Sequence, residues 1–353
     1  MKQNFGVVRV DTGRAVLRGI PVPRLQDDYM IVRPVTIALN PTDWTTLDAP
    51  GQPGSIVGCD YAGVVVEVGK GVKRNFKPGD RVAGYAHGGN DANHEHGAFA
   101  RYITVKGDTQ WHIPSGVSFE DASTVGVGLT TLGYGLYKVL GLPWPEVTAP
   151  PQHGEVLIYG GSTATGALAI QFAKLSGFKV LATASPKNFE RVKTLGADAV
   201  FDYRDPSVGK QIREATQNRL SQVFDCVSTE ETAAICADAI GSSGGKYCTL
   251  LGPKCPRSDV ETTFFLGYSV SGEAYIFEGE SFEADPDLFE HGVRFVEATE
   301  AIWSQGKFVT HPVRLEKGGL RGALEEGLQI LREGRYSGEK LVYRVEETDW
   351  PTS

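Results

Sequence analysis

The sequence predicts an α/β protein of two domains, with a β-rich domain built from both ends of the chain and a doubly wound parallel sheet between. Three observations carry this. The chain has 353 residues, too many for one ordinary core and suited to two. Residues 1–110 break into short apolar runs separated by Gly and Pro clusters, which is strand-and-turn texture. From about residue 155 the texture changes to short apolar strands alternating with helical stretches, as a parallel sheet covered on both faces requires.

In the first part, 30–39, 62–68 and 81–85 read as strands, and Lys77-Pro78-Gly79-Asp80 is the turn leading into the last of them. The apolar, glycine-containing stretch 119–140 reads as a helix. Residues 140–155, LGLPWPEVTAPPQHGE, are proline-rich and read as a loop across a domain boundary. Strand 156–159, helix 167–175, strand 179–183, helix 189–195 and strand 199–201 follow in alternation. Strands 221–226 and 246–251, with helix 232–240 between them, continue the series. The tail ends in helix 320–333 and strand 340–345 and is expected to rejoin the first domain. The expected boundaries are therefore 1–130 with 295–353 for the β-rich domain and 131–294 for the parallel sheet.

Composition narrows the function. Hydrophobic residues make up 41% and charged residues 22%, and the net charge is −8, which argues against a nucleic-acid surface as the main partner. The first residues lack the apolar core of a signal peptide, and no apolar run reaches the roughly 18 residues of a spanning helix. Five cysteines, Cys59, Cys226, Cys236, Cys248 and Cys255, include no close-set pair. A reduced cytoplasmic protein with free thiols is expected, with Cys226, Cys236 and Cys248 as small core residues.

The most informative stretch is VLIYGGSTATGALAIQFAKLSGFKV. A strand ends at Tyr159, Gly160, Gly161 and Gly166 bracket a turn, and a helix follows. Such a turn aims unpaired helix N–H groups at a pyrophosphate. Gly161 and Gly166 have the spacing of the outer glycines in the Rossmann G-x-G-x-x-G fingerprint, with Thr163 in the middle place. Ser162, Thr163 and Thr165 add hydroxyl donors. The second strand distinguishes the nucleotides, because an NAD site places Asp or Glu at its end to take the ribose 2′-OH. Here Ser185, Lys187 and Asn188 stand in that place, and a hydroxyl beside a cation suits a 2′-phosphate. Tyr203, after the third strand, is placed to pack on adenine or reach the phosphate. NADPH is the expected cofactor.

Several motifs occur in a fixed order: Asn40-Pro41-Thr42-Asp43, Gly58-Cys59-Asp60-Tyr61-Ala62-Gly63, Pro78-Gly79-Asp80-Arg81-Val82, Gly97-Ala98-Phe99-Ala100-Arg101-Tyr102, Leu195-Gly196-Ala197-Asp198 and Ser337-Gly338-Glu339-Lys340. With the Tyr159–Gly166 turn they resemble the medium-chain dehydrogenase/reductase superfamily, in its quinone oxidoreductase and enoyl reductase branch. Ser185-Pro186, Phe201-Asp202-Tyr203-Arg204 and Leu140-Gly141-Leu142-Pro143 narrow the likeness. They are similar to the trans-acting enoyl reductases of fungal polyketide synthases, of the lovastatin-pathway type. The resemblance implies a GroES-like catalytic domain in two sequence pieces around a Rossmann domain. It implies cofactor contacts at Pro41, Thr42, Asp43 and Trp44, at Ser162, Thr163, Ala164 and Thr165, at Ser185, Pro186, Lys187 and Asn188, and at Tyr203, Leu251, Gly252, Tyr336 and Ser337. Substrate is expected along Gly126, Val127, Gly128, Leu129, Thr130, Thr131, Leu132 and Gly133, and along Ser269, Val270, Ser271, Gly272 and Glu273.

Zinc members of this superfamily place cysteine and histidine ligands where this chain has Asp43-Trp44 and Gly58-Cys59-Asp60, and 87–100 contains no cysteine. No set of three or four N, S or O ligands is visible, so no zinc is expected. His94-Glu95-His96 sits in polar loop sequence and reads as solvated. No G-x-S-x-G elbow marks a hydrolase, and Cys59 reads as a small packed residue. Without zinc, alcohol oxidation lacks its Lewis acid. Hydride transfer to the β-carbon of an α,β-unsaturated thioester needs less help, because conjugation disperses the enolate charge. Related enoyl reductases carry a lysine shortly after Asn-Pro-Ser/Thr-Asp, whereas Trp44, Thr45 and Thr46 follow here, so the proton donor is not identified. Thr45, Thr130 and Thr131 are the candidate catalytic residues, one for a water relay and two for the thioester carbonyl.

The resemblance also implies a partner, the acyl carrier protein of a polyketide synthase or polyketide synthase–peptide synthetase hybrid, and a monomeric enzyme. Carrier proteins are acidic, so docking calls for a local basic patch, with Arg314, Lys317 and Arg321 as candidates. Two alternatives stay open: a free-standing reductase of small quinones or enones, and a non-enzymatic NADPH-binding protein.

Overall fold

The computed structural model describes residues 3–145 and 154–352. The middle of the proline-rich loop, 146–153, lies outside the described residues. The chain forms two compact units: one of 1–130, 268–304 and 310–353, the other of 131–267 and 305–309.

The first unit opens with an antiparallel hairpin, β1 (Asn4–Asp11) and β2 (Arg14–Ile20), turned at Gly13 in the left-handed region. β3 (Tyr29–Ala38) leads into helix α1 (Pro41–Asp48), and β4 (Asp60–Val68), β5 (Arg81–Tyr85), β6 (Ile103–Lys106) and β7 (Trp111–His112) follow. Short helices α2 (Phe119–Ala122) and α3 (Gly126–Leu132) come next. The continuous helix expected over 119–140 is therefore interrupted. Gly126 presses on the Gly84 carbonyl, 2.1 Å from where a Cβ would stand, and the Val127 N–H is taken by Asp60 at 2.6 Å. Beyond α3 the turns widen over Gly133–Val139, with Leu140 N–H donating five residues back to Gly135.

The second unit alternates as the sequence predicts. Strand β8 (Glu155–Tyr159), helix α4 (Ala164–Leu175), β9 (Lys179–Ala184), α5 (Phe189–Thr194), β10 (Ala199–Asp202) and α6 (Val208–Ala215) form its first half. Strand β11 (Gln222–Asp225), α7 (Glu230–Ala239), β12 (Gly245–Thr249) and β13 (Val260–Phe264) form its second. The six strands are parallel in the order β10-β9-β8-β11-β12-β13, so the connections change direction between β8 and β11. Ligands bind at such a switch point, outside the carboxyl ends of the strands. The core is Leu157, Leu181, Val223, Ile212 and Tyr247 with their neighbours, all buried.

From residue 268 the chain is again part of the first unit. Hairpin β14 (Tyr275–Phe277) and β15 (Glu280–Phe282) precedes the long helix α8 (Pro286–Ser304). Residue 295, where the second piece was expected to begin, falls inside α8. Then come β16 (Val313–Glu316), α9 (Gly319–Gly322), a widened turn at Ala323–Gly327, α10 (Leu328–Arg332) and β17 (Lys340–Arg344). β17 pairs antiparallel with β3, completing a seven-stranded sheet ordered β16-β17-β3-β4-β5-β7 with β6 also on β3. Tail and N-terminal residues share one apolar core, from Val7, Ile37 and Val65 to Leu320, Leu328 and Tyr343.

Candidate active site

The second unit gathers its expected cofactor residues at the carboxyl edge of its sheet. Thr183, near the end of β9, holds the turn after β8: its hydroxyl accepts from Gly160 N–H at 2.9 Å and its carbonyl from Gly161 N–H at 2.8 Å. Gly160 takes the left-handed conformation, φ +81°. Gly161 does not; it lets α4 and β9 close up, its missing Cβ lying 2.9 Å from Ile170 Cδ1 and 3.0 Å from Ala182 Cβ. Gly166 packs the same way on the Gly160 carbonyl at 2.3 Å. Thr163 caps α4, its hydroxyl accepting from Gly166 N–H at 3.0 Å. Among the described residues the N–H groups of Ala164 and Thr165 take no acceptor. Free N–H groups at the start of a twelve-residue helix, beside the half-buried hydroxyls of Ser162 and Thr165, fit a pyrophosphate.

The sheet register brings the other residues alongside. Ala184 pairs with Asp202, so Ser185 and Tyr203 leave adjacent strands together. Ser185 accepts from Asn188 at both its carbonyl and its hydroxyl, at 2.8 and 3.2 Å, which fixes a tight turn with Pro186 and Lys187 on its exposed side. Tyr203 is 43% exposed. Leu251 and Gly252 follow β12, also exposed. The loop after β11 is organised by Asp225, which accepts from Val227 and Ser228 N–H at 2.9 Å, from Thr232 at 2.6 Å and from Tyr247 at 2.8 Å.

The first unit holds Pro41, Thr42, Asp43, Trp44 and Thr45 on the first turns of α1. Asn40 caps that helix, with its N–H donating to Asp43 Oδ2 at 2.7 Å. Asn40 also donates its side-chain amide to Asp60 at 3.0 Å and accepts from Lys340 Nζ at 2.9 Å. Lys340 pairs directly with Asp60; the two side chains are 4% and 0% exposed. Trp44 and Tyr336 both pack on the core of the first unit, while Ser337 is exposed. The second carboxyl oxygen of Asp43 is buried without a partner. Burial pushes Asp43 up to about 7 against the pull of Asn40 N–H, the Cys59 thiol and Lys340.

Sequence reasoning missed Tyr268. Its hydroxyl lies 2.6 Å from Thr42 Oγ1 and 3.6 Å from Cys59 Sγ, and its ring stacks on His87 at 3.7 Å. Burial pushes the phenol well up and the His87 imidazole well down, leaving that ring neutral with its Nε2 unpartnered. Nothing local in the sequence announces this cluster, because Tyr268 meets Thr42 across 226 residues. Beyond His87 lies a small cleft lined by Tyr29, Tyr85, Thr104, Lys106 and Glu273.

The expected substrate residues are placed variously. Thr130 is buried with its hydroxyl unpartnered, Thr131 is also buried, and Leu129 and Leu132 are core residues. Ser269 bonds Tyr275 at 2.7 Å, Val270 turns inward against Gly292, and Ser271 accepts from Glu273 N–H at 3.3 Å. Gly272 is left-handed at φ +73°. Glu273 is engaged by Tyr29 at 2.5 Å and Lys106 at 2.8 Å. His96 is not solvated as the sequence suggested: it is buried, bonded to Asn93 at 3.0 Å and stacked on Tyr29. Arg314 and Arg321 are matched by Glu316 at 2.7 Å and Glu325 at 3.3 Å, which offsets the basic patch. All five cysteines are free. Among the described residues, no three His, Cys, Asp or Glu side chains are grouped to hold a metal ion, and around Gly58-Cys59-Asp60 the Lys340 ammonium already occupies Asp60.

Residues 26–115 match the family described as alcohol dehydrogenase GroES-like domain, and 164–270 that described as zinc-binding dehydrogenase. The trans-enoyl reductase ACTTS2 of Alternaria alternata is 48% identical over 336 residues, covering 95% of this chain and 96% of the relative. The trans-enoyl reductase TOXD of Cochliobolus carbonum is 50% identical over 275 residues, 78% of this chain and 92% of the relative. Among solved structures, the CurK enoyl reductase aligns with a TM-score of 0.74 at 18% identity over 97% of this chain and 99% of that one. A zinc-dependent alcohol dehydrogenase-like protein of Rhizobium etli aligns with a TM-score of 0.78 at 22% identity over 97% and 98%; likeness at this identity shows the fold. Fold, matched domains and full-length kinship agree: the chain belongs to the medium-chain dehydrogenase/reductase superfamily of oxidoreductases and, within it, to the trans-enoyl reductases.

Proposed function

We propose that this enzyme works in trans with a polyketide synthase, reducing an α,β-unsaturated acyl thioester carried on an acyl carrier protein, in secondary-metabolite biosynthesis. Its cofactor is NADPH, and it works as a cytoplasmic monomer without zinc. The observation that carries the reading is the carboxyl edge of the second unit, where α4 begins with unpaired N–H groups after β8 and the neighbouring strand β9 runs into Ser185 and Lys187 with no carboxylate at its end. The names of its full-length relatives supply the reaction class.

The protein's own contributions follow from its residues. The α4 N-terminus and the Ser162, Thr163 and Thr165 hydroxyls receive the pyrophosphate. Ser185 and Lys187 receive the 2′-phosphate, whose charge the ammonium offsets. Tyr203 offers a ring to the adenine. NADPH, when bound, supplies a hydride to the β-carbon. Thr130, with a buried hydroxyl that has no partner in the chain, is a candidate donor to the thioester carbonyl, where enolate charge develops. Such a donor, with conjugation, substitutes for a Lewis acid.

The test is NADPH consumption against a panel of enoyl pantetheine and carrier-bound thioesters, with quinones and simple enones alongside. Carrier-bound enoyl substrates are expected to react fastest. Equal or faster reduction of small quinones would assign a free-standing reductase, and NADPH binding without turnover on any of them would assign a binding protein.

A further inference from the structure

Reduction of a conjugated double bond needs a proton as well as a hydride, and no lysine follows Asp43 to give one. Within the first unit, four proton-bearing side chains stand in file. The Cys59 thiol stands next to the Asp43 carboxyl, close enough that each shifts the other's ionisation. Tyr268 oxygen lies 3.6 Å from Cys59 Sγ, and Thr42 Oγ1 lies 2.6 Å from Tyr268. Thr42 is half-buried, whereas Tyr268, Cys59 and Asp43 are buried, so the file runs inward from the accessible Thr42. At its inner end is a small cavity walled by Arg9, Asp43 and Ser55. Arg9 Nε, Asp43 Oδ1 and Ser55 Oγ all lack a partner in the chain. Three convergent polar atoms are what an ordered water requires.

We propose that Tyr268 is the general acid that protonates the substrate α-carbon, and that its proton is restored from Asp43 through Cys59. This rests on the enoyl reductase reading above. Among the three hydroxyl and thiol members, Tyr268 has the combination the step needs: it sits one bond from the accessible end, and Thr42 can donate to the phenolate left behind. Hydride addition at the β-carbon gives the thioester enolate and oxidised cofactor. The enolate carbon then takes the phenolic proton. Cys59 passes its proton to the phenolate and receives that of the Asp43 carboxylic acid. Asp43 recovers a proton from solvent by way of the inner cavity.

The direction of the file depends on Asp43. With the carboxylate ionised, Cys59 points at it and Tyr268 points at Cys59. With the acid protonated, each hydrogen reverses and the Tyr268 hydrogen is released outward. Asp43 is faced by Asn40, Cys59, Asp60 and Lys340, with Arg9 across the cavity. Its elevation to about 7 keeps the protonated form well populated near neutrality.

Tyr268→Phe keeps the ring stacked on His87 and removes the acid. Its turnover on an enoyl pantetheine thioester is expected to fall roughly 100-fold or more, the usual weight of a general acid, with NADPH affinity unchanged. In heavy water the wild type is expected to place deuterium on one face of the α-carbon, and the variant on both. Cys59→Ser, which can still relay, is expected to keep most of the activity that Cys59→Ala loses. Without substrate, the infrared band of the Asp43 carboxylic acid, assigned by its absence in Asp43→Asn, is expected to shift in Cys59→Ala. Stereospecific deuteration and near-normal turnover in Tyr268→Phe would overturn the proposal. Equal activity of Cys59→Ser and Cys59→Ala would remove the resupply route. If the wild type itself does not reduce enoyl thioesters, the functional reading fails instead.

Discussion

Asp60 ties together distant parts of the first unit. One oxygen holds Val127 N–H at the start of α3, and the other receives Asn40, the cap of α1, together with Lys340. Two helix starts, each within an expected binding stretch, therefore hang on one buried carboxylate. Breaking such a pair by removing one partner leaves an uncompensated buried charge and costs about 3–5 kcal/mol. Lys340→Met is expected to lower denaturant stability by that order, and adding Asp60→Asn should recover a large part of it. A double variant no more stable than Lys340→Met would show that the pair is not the source of the loss. The motifs Gly58-Cys59-Asp60 and Ser337-Gly338-Glu339-Lys340 were both legible as superfamily marks. Their meeting was not, because an ion pair spanning 280 residues leaves no local pattern. Tyr268 escaped for the same reason.

At the scale of elements, the β8–α4 turn was readable because a phosphate site is a local object of strand, glycine turn and helix. What the structure alters is the division of labour among the glycines. Gly160 supplies the left-handed turn, while Gly161 and Gly166 let the helix approach the sheet. The helix expected over 119–140 misled for a tertiary reason: apolar periodicity cannot register that Asp60 takes the Val127 N–H. The end of β9 carries the cofactor prediction. Lys187 is exposed, so Lys187→Glu should leave the fold intact. Replacing a cation by an anion beside a 2′-phosphate is expected to weaken NADPH tenfold or more, with NADH changed within about twofold. Binding titrations with both cofactors decide it, and equal loss for both would place the 2′-phosphate elsewhere.

At the scale of the molecule, the first unit is assembled from distant pieces of chain, and charged side chains tie them together. Glu300 on α8 accepts from Arg74 at 2.5 Å and from His112 N–H at 2.8 Å. Arg332 reaches Asp48 at 2.6 Å, and Arg344 reaches Glu120 at 2.7 Å. Glu300 gives the clearest case. Burial works against its ionisation, but His112 and Arg74 outweigh burial and hold it down to about 2, against 4.5 for a free glutamate. Between those values the unfolded chain binds more protons than the folded one, so this group's contribution to stability is present above about 4.5 and is lost as pH falls toward 2. A difference of this size is worth at most roughly 3.5 kcal/mol, since one pKa unit is about 1.4 kcal/mol. Glu300→Gln is therefore expected to lower stability near neutral pH by about 2–3 kcal/mol, the glutamine keeping some hydrogen bonding. The gap to wild type should narrow steadily below pH ~4.5, as protonation of Glu300 takes from the wild type the charge that the variant already lacks. Urea titrations at a series of pH values read this directly, and a gap that stays constant from neutral to acid would mean that Glu300 acts by packing and not by its charge.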